Sequence, residues 1–190
     1  MYVDRILFPV TALGPGERIA IWLAGCHRHC EGCANPELWE HAEKQMISVN
    51  RLVRIIRTIV QDKSVYGLTI TGGEPFEQSE ELLELLKAVN DLHLNTLVFS
   101  GYRLEELQQG AVTKDVLMYV DVLIDGEYVK ELNDGVQALR GSKNQRIHFL
   151  SRSCYDDFYN YMQEGRKIQN FVYGDTVLSV GIHSEDEAKG

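Results

Sequence analysis

Residues 25–33 read GCHRHCEGC and place three thiols, Cys26, Cys30 and Cys33, within eight positions. Thiolates suit zinc or iron–sulfur clusters. A closed structural zinc site takes four ligands, whereas a catalytic metal keeps one position open. An iron–sulfur cluster is ordinarily held by four cysteines. Three protein ligands therefore imply either a fourth from elsewhere or a position left open by design. The remaining cysteine, Cys154, lies far along the chain at what reads as a helix start. An isolated cysteine of this kind is read as a packed or surface thiol rather than a ligand. His27 and His29 directly adjoin Cys26 and Cys30, so ligation by all of them would crowd the loop; they are expected beside the metal or in solvent. Three clustered cysteines that merely pack are the poorest reading.

A second stretch, Thr71-Gly72-Gly73-Glu74-Pro75, reads on its own as a tight strand-to-helix turn. Beside a three-cysteine loop it gains a further meaning. A glycine pair lets a ligand approach the backbone closely, and Glu74 can accept hydrogen bonds from an ammonium group.

These loops need elements to hold them. RIAIWL (18–23) is rich in strand formers and follows the turn LGPGE. SVNRLVRIIRTIVQD reads as a helix, with Ser48 as its N-cap and Leu52, Ile56, Ile59 and Val60 on one face. YGLTI (66–70) reads as a buried strand, SEELLELLKAVNDL (79–92) as a helix and NTLVFS (95–100) as a strand. RLEELQQ and TKDVLMYV read as helical, and DVLI (121–124) and RIHFL (146–150) as strands. Strand and helix alternate, which calls for a parallel sheet with crossover helices. The cysteine loop, TGGEP, Ser100-Gly101-Tyr102 and Asp125-Gly126-Glu127 each follow the C-terminal end of an expected strand. In parallel α/β architectures those ends share one face, where sites are built. Beyond residue 150, CYDDFYNYMQEG reads as an amphipathic helix, NFVYGDTVLSVGI as a hairpin turning at Gly174-Asp175, and HSEDEAKG as a solvated tail.

The gross numbers bound the function. The chain has 190 residues, 44% hydrophobic and 25% charged, the profile of an ordinary globular protein with a real core. The net charge of −9 and the absence of a Lys/Arg cluster disfavour a nucleic-acid surface. No apolar run approaches the ~20 residues of a membrane span. No signal-peptide pattern stands at the start, so a cytoplasmic, soluble protein is expected. Four cysteines are too few for a disulfide scaffold and suit metal or redox chemistry.

The spacing CxxxCxxC in CHRHCEGC, together with TGGEP, resembles the radical S-adenosylmethionine superfamily. GPGERIAIWLAGCHRHCEGCANPELW, TGGEPF, SGYRLEEL, VDVLIDGEY and RGSKNQRIH, in that order over about residues 10–150, are similar to the activating enzymes of the anaerobic ribonucleotide reductase. The resemblance implies a fold, a partial and laterally open parallel (β/α) barrel. It also implies a division into a core over 1–150 and a helix-and-hairpin extension over 151–190. It implies a chemistry: Cys26, Cys30 and Cys33 hold a 4Fe-4S cluster, and S-adenosylmethionine chelates the fourth iron through its amino and carboxylate groups. One electron from a reduced flavodoxin- or ferredoxin-type donor then yields methionine and a 5′-deoxyadenosyl radical, which takes a hydrogen atom from a glycine of the reductase.

Carried onto this chain, Gly32 and Ala34 border the adenine through backbone groups. Gly72, Gly73 and Glu74 meet the methionyl ammonium, and Ser100, Asp125 and Asn144 line the rest of the pocket. The chain departs from the pattern at four places. Gly32 stands where many superfamily members have an aromatic residue. Ala34 stands where the activases often have Tyr or His. Glu127 stands where some have a basic residue, which leaves the anchor of the methionyl carboxylate unassigned. Residues 151–190 run beyond the shorter activases. Two other functions compete with the activase: a radical enzyme acting on another protein, peptide or small molecule, and a non-catalytic zinc module. The GGE turn and the strand–helix alternation argue against the zinc module, which needs neither.

Overall fold

The computed structural model describes residues 1–183, so the expected tail lies outside the described residues from position 184 onward. Among the described residues, eight strands and five α-helices run in the order β1 (Val3–Val10), β2 (Arg18–Leu23), α1 (Val49–Asp62), β3 (Gly67–Gly72), α2 (Ser79–Val89), β4 (Asn95–Phe99), α3 (Leu104–Leu107), α4 (Ala111–Leu117), β5 (Val122–Asp125), β6 (Arg146–Phe149), α5 (Tyr155–Gln163), β7 (Ile168–Tyr173) and β8 (Thr176–Gly181). The first six strands form one sheet in sequence order, and β7 and β8 form a separate hairpin. β2, β3, β4 and β5 are parallel neighbours, with Arg18 opposite Gly67, Gly67 opposite Asn95 and Leu97 opposite Val122.

The sheet is not wholly parallel, which corrects the expectation of a purely parallel one. β1 pairs antiparallel with β2, and β6 pairs antiparallel with β5. The connection from β5 to β6 carries only a single 3-10 turn at Lys130–Leu132. Without a crossover helix a strand returns alongside its predecessor in the opposite sense. β1 was not anticipated. Its sequence VDRILFPV interrupts the apolar pattern with Asp4, Arg5 and Pro9, the composition of a half-covered edge strand.

Both faces of the central strands are covered, as their unbroken apolar runs require. Ile19, Ile21, Leu23, Leu68, Ile70, Val98 and Leu123 point to one face and pack against Leu52 and Ile56 of α1 and Leu82, Leu85 and Leu86 of α2. The N-cap of α1 forms as its sequence indicates, with Ser48 Oγ accepting from the Arg51 amide at 3.3 Å. The alternate residues point to the other face. Leu97, Val122 and Ile124 meet Cys154, Phe158 and Tyr161 at α5. Ala20 and Trp22 meet Val10, Leu13, Leu38 and Val180 of β8. The hairpin turns at Gly174-Asp175, and α5 with the hairpin closes this second face.

At the N-terminal end of β2, Arg18 is wholly buried. It donates to Thr69 Oγ1 at 2.6 Å, Asn95 Oδ1 at 2.7 Å and the Leu68 carbonyl at 2.9 Å, while its guanidinium lies 5.5 Å from the Phe158 ring centroid. All of these partners are neutral, and burial lowers the Arg18 pKa to about 10. The arginine therefore ties β2, β3, β4 and α5 together at the end of the sheet opposite the cysteine loop.

Candidate metal centre and cofactor site

The loops after β2, β3, β4 and β5 converge at the C-terminal ends of the parallel strands, and backbone hydrogen bonds lock them together. The Gly73 amide donates to the Leu23 carbonyl at 2.7 Å, and the Glu74 amide donates to the Gly25 carbonyl at 2.8 Å. Gly72 has φ +102°, and a Cβ there would run into the Leu23 backbone. A Cβ on Gly73 would overlap the Gly25 carbonyl oxygen. The glycine pair is thus required first by the chain's own close approach. It presses the turn after β3 against the residue that precedes Cys26.

Glu74 joins the next loop. Its Oε1 accepts from the Phe76 amide at 3.0 Å and from Ser100 Oγ at 2.9 Å, and its Oε2 accepts from the Gly101 amide at 2.7 Å. Only 1% of the residue is exposed. Burial pushes its carboxyl up to about 7, against the pull of these donors and of the Arg28 charge. The structure brings Glu74 and Ser100 together, and their partners are one another and the backbone.

Asp125 and Asn144 form a second group. Asp125 is fully buried; it accepts from the Leu104 amide at 2.7 Å and from Arg146 Nε and Nη2 at 3.0 and 2.5 Å. Burial alone would raise its pKa, but Arg146 and the Leu104 amide hold it below the ordinary carboxylate value. Asn144 donates through Nδ2 to the Glu127 carbonyl at 2.8 Å, while its buried Oδ1 has no hydrogen-bond partner among the described residues. Arg103 links the two, donating to the Asn144 carbonyl at 2.9 Å with Nη1 3.6 Å from Asp125.

The cysteine loop itself is half-buried, and all three thiols are free. The Cys26 amide donates to the Trp39 carbonyl at 2.9 Å, and a turn joins the Cys33 amide to the Cys30 carbonyl at 3.1 Å. Burial raises the Cys26 and Cys30 thiols, opposed by the Arg28 and His29 amides at Cys26 and by the Tyr128 amide at Cys30. Amides aimed at thiol sulfurs fit a cluster held by thiolates, whose sulfurs accept such bonds, and a bound metal deprotonates a coordinating thiol in any case. His29 adopts the left-handed φ of +47°, which is uncommon outside glycine. Its ring stacks on Trp39 at 4.7 Å, while the His27 ring is exposed and pairs with Glu77 at 2.8 Å. Among the described residues, no group of three His, Cys, Asp or Glu is gathered tightly enough to hold a metal ion as it stands. Cys154 lies in the apolar cluster with Leu97 and Phe158, at the Arg18 end of the sheet.

Gly32, with φ +72°, leaves room for the side chains of Lys130 and Tyr128, which a Cβ would approach to 3.3 and 3.4 Å. Ala34 is exposed beside it. The strand-end loops thus bring the Glu74 and Glu77 charges to bear on Cys26 and the Glu127 charge on Cys30.

A model of a 4Fe-4S single cluster domain matches residues 12–148. The chain is 34% identical over 151 residues to the anaerobic ribonucleoside-triphosphate reductase-activating protein of Enterobacteria phage T4, covering 77% of this chain and 93% of that protein. Proteins of the same name from Salmonella typhi and Escherichia coli K12 are 31% and 30% identical, each covering 75% of this chain and 96% of its own length. The chain belongs to this 4Fe-4S family of reductase-activating proteins. The matching family model describes a 4Fe-4S domain, which sets aside the zinc module.

Sequence reading passed over one residue of this activase-family site. Arg28 sits inside the cysteine loop, its guanidinium 4.2 Å from the Tyr102 ring centroid and its side chain 20% exposed. A cation between two of three clustered cysteines, in a chain of net charge −9, was the available signal.

Proposed function

We propose that this protein is an iron–sulfur activase that makes a glycyl radical on an anaerobic ribonucleotide reductase. The observation that carries the reading is the convergence of the loops after β2, β3, β4 and β5 around Cys26, Cys30 and Cys33. The names of the relatives supply the target. When bound, the cluster supplies the electron that splits the sulfonium carbon–sulfur bond of S-adenosylmethionine, releasing methionine and a carbon radical that takes a hydrogen atom from the target glycine.

The chain's own residues position the reactants, and positioning supplies much of the rate. Cys26, Cys30 and Cys33 would hold the cluster as its three protein ligands, fewer than the usual four, and so would leave a place for the amino-acid end of S-adenosylmethionine. The turn at Gly72-Gly73 and Glu74 receives the ammonium, and Ser100 holds the Glu74 carboxylate in place. Gly32 and Ala34 present backbone to the adenine. Asp125 and Asn144 act through Arg103 and Arg146, which they hold at the rim. A sheet whose outer strands β1 and β6 do not pair with each other is consistent with a partial barrel, open at the side where a protein loop enters. We read residues 1–150 as the radical core and 151–190 as an extension packed on it. A reduced flavodoxin- or ferredoxin-type protein is the proposed electron donor and the cytoplasm the proposed compartment. No helix among the described residues is long and apolar enough to cross a membrane.

The test mixes cluster-loaded, reduced protein with S-adenosylmethionine and the cognate reductase without oxygen, and records the electron paramagnetic resonance spectrum. A glycyl doublet is expected, absent when the target glycine is replaced by alanine. Cleavage of S-adenosylmethionine with no doublet on a competent reductase would transfer the same chemistry to another substrate.

A further inference from the structure

The methionyl carboxylate lacked an anchor in the sequence. Arg28 has the properties of one. Its nearest carboxylates are Glu127, 3.7 Å from Nη1, and Glu106, 3.9 Å from Nη2, both beyond hydrogen-bonding distance. These two side chains are about half exposed, at 51% and 54%, so solvent weakens their hold. Among the described residues no hydrogen bond satisfies the Arg28 Nε, although the atom is buried. A guanidinium stacked on Tyr102 and largely withdrawn from water, with donors unspent, calls for an oxygen-rich anion.

Its place in the fold says which anion. Arg28 lies between two cluster ligands in sequence and against Gly101 in space, where a Cβ would overlap its Cδ. Gly101 is also the residue whose amide holds Glu74. A Cβ on Gly101 would also stand 3.4 Å from Glu74 Oε2, so the Arg28 and Glu74 side chains meet at the same glycine. An α-amino acid carries its ammonium and carboxylate on one carbon, so an acceptor for the first and a donor for the second must stand side by side. Glu74 and Arg28 are such a pair, on adjacent loops at one junction. We propose, resting on the activase reading, that Arg28 binds the methionyl carboxylate of S-adenosylmethionine and that Gly101 is a glycine in order to leave it room.

Calorimetry on cluster-loaded protein tests this, using S-adenosylmethionine and its decarboxylated analogue, which keeps the sulfonium, ammonium and adenosyl groups. Iron content is measured on each sample. Arg28→Gln is expected to weaken S-adenosylmethionine binding by about tenfold to a hundredfold, the range for a lost hydrogen bond to a charged group. Binding of the decarboxylated analogue should barely change, so the preference for the carboxylate collapses. Equal weakening of both compounds, or of neither, overturns the proposal. If Arg28→Gln loses iron, Gly101→Ala decides instead, because it displaces the guanidinium without replacing any residue of the cysteine loop. The same selective loss is expected there, and a parallel loss overturns the proposal. Wild-type protein with a full cluster that binds S-adenosylmethionine no better than the adenosyl product would remove the activase reading and this proposal with it. Tight binding by wild type, with variants that weaken both compounds equally or neither, would remove only the role of Arg28.

Discussion

At the scale of single residues, Glu74 carries the clearest physical prediction. Its carboxyl is raised from an ordinary 4.5 to about 7 by burial, while the unfolded chain restores the ordinary value. Between those two values the folded protein binds the extra proton, so stability falls as pH rises through that window. The decline amounts to about 3 kcal/mol at most, at 1.36 kcal/mol per unit. The lowered carboxyls of Asp125, Glu105 and Asp134 titrate below the window and do not mask it. Urea unfolding of metal-free protein at pH 5 and pH 7 should show the decline in wild type and a flatter profile in Glu74→Gln. Identical slopes in the two proteins would mean that Glu74 is ionised throughout. The residue types at the site were legible because thiols, a glycine pair and an acidic residue announce their chemistry. Arg28 was not, because its meaning depends on Tyr102 and Gly101, which lie more than seventy positions away and meet it only in the fold.

At the scale of elements, the parallel strands β2 to β5 and helices α1 and α2 were readable from apolar runs and from amphipathic period. The antiparallel edges were less so. β1 is half-covered and breaks its own pattern, and the direction of β6 depends on a connection that lacks a helix. The same reasoning isolates the cysteine loop as one element with one task. Cys26, Cys30 and Cys33 are free and half-buried among backbone amides, whereas Cys154 is buried with Leu97 and Phe158 at the other end of the sheet. Replacing any of the three loop cysteines by alanine should abolish the reconstituted cluster. Cys154→Ala should retain about four irons per chain, as a 4Fe-4S centre requires. Iron and sulfide analysis after anaerobic reconstitution reads this directly. Loss of iron in Cys154→Ala, with the fold intact by circular dichroism, would make Cys154 a ligand and close the position reserved for S-adenosylmethionine.

At the scale of the molecule, the decisive relation is between the site and the segment that closes the far end of the sheet. Phe158 and Tyr161 of α5 cover Leu97, Val122 and Ile124, and Phe158 lies under the buried Arg18. Val180 of β8 packs with Ala20 and Trp22 of β2. The segment was recognisable in the sequence as a helix and a hairpin, but its role was not, because its apolar residues match a sheet face that only the fold assembles. Phe158→Ala removes a fully buried aromatic side chain and should destabilise the metal-free protein by about 3–5 kcal/mol. Water admitted beside Arg18 would offset part of that loss, because burial penalises its unpaired charge. The strand ends that carry Cys26 and Glu74 belong to the same β2 and β3 that Arg18 joins at their other ends. The variant should therefore also lose cluster retention on warming before wild type does, with absorbance near 400 nm and the unfolding transition falling together. If the cluster survives at wild-type temperature while α5 becomes protease-sensitive, the extension is a separate unit, and the sheet holds the site without it.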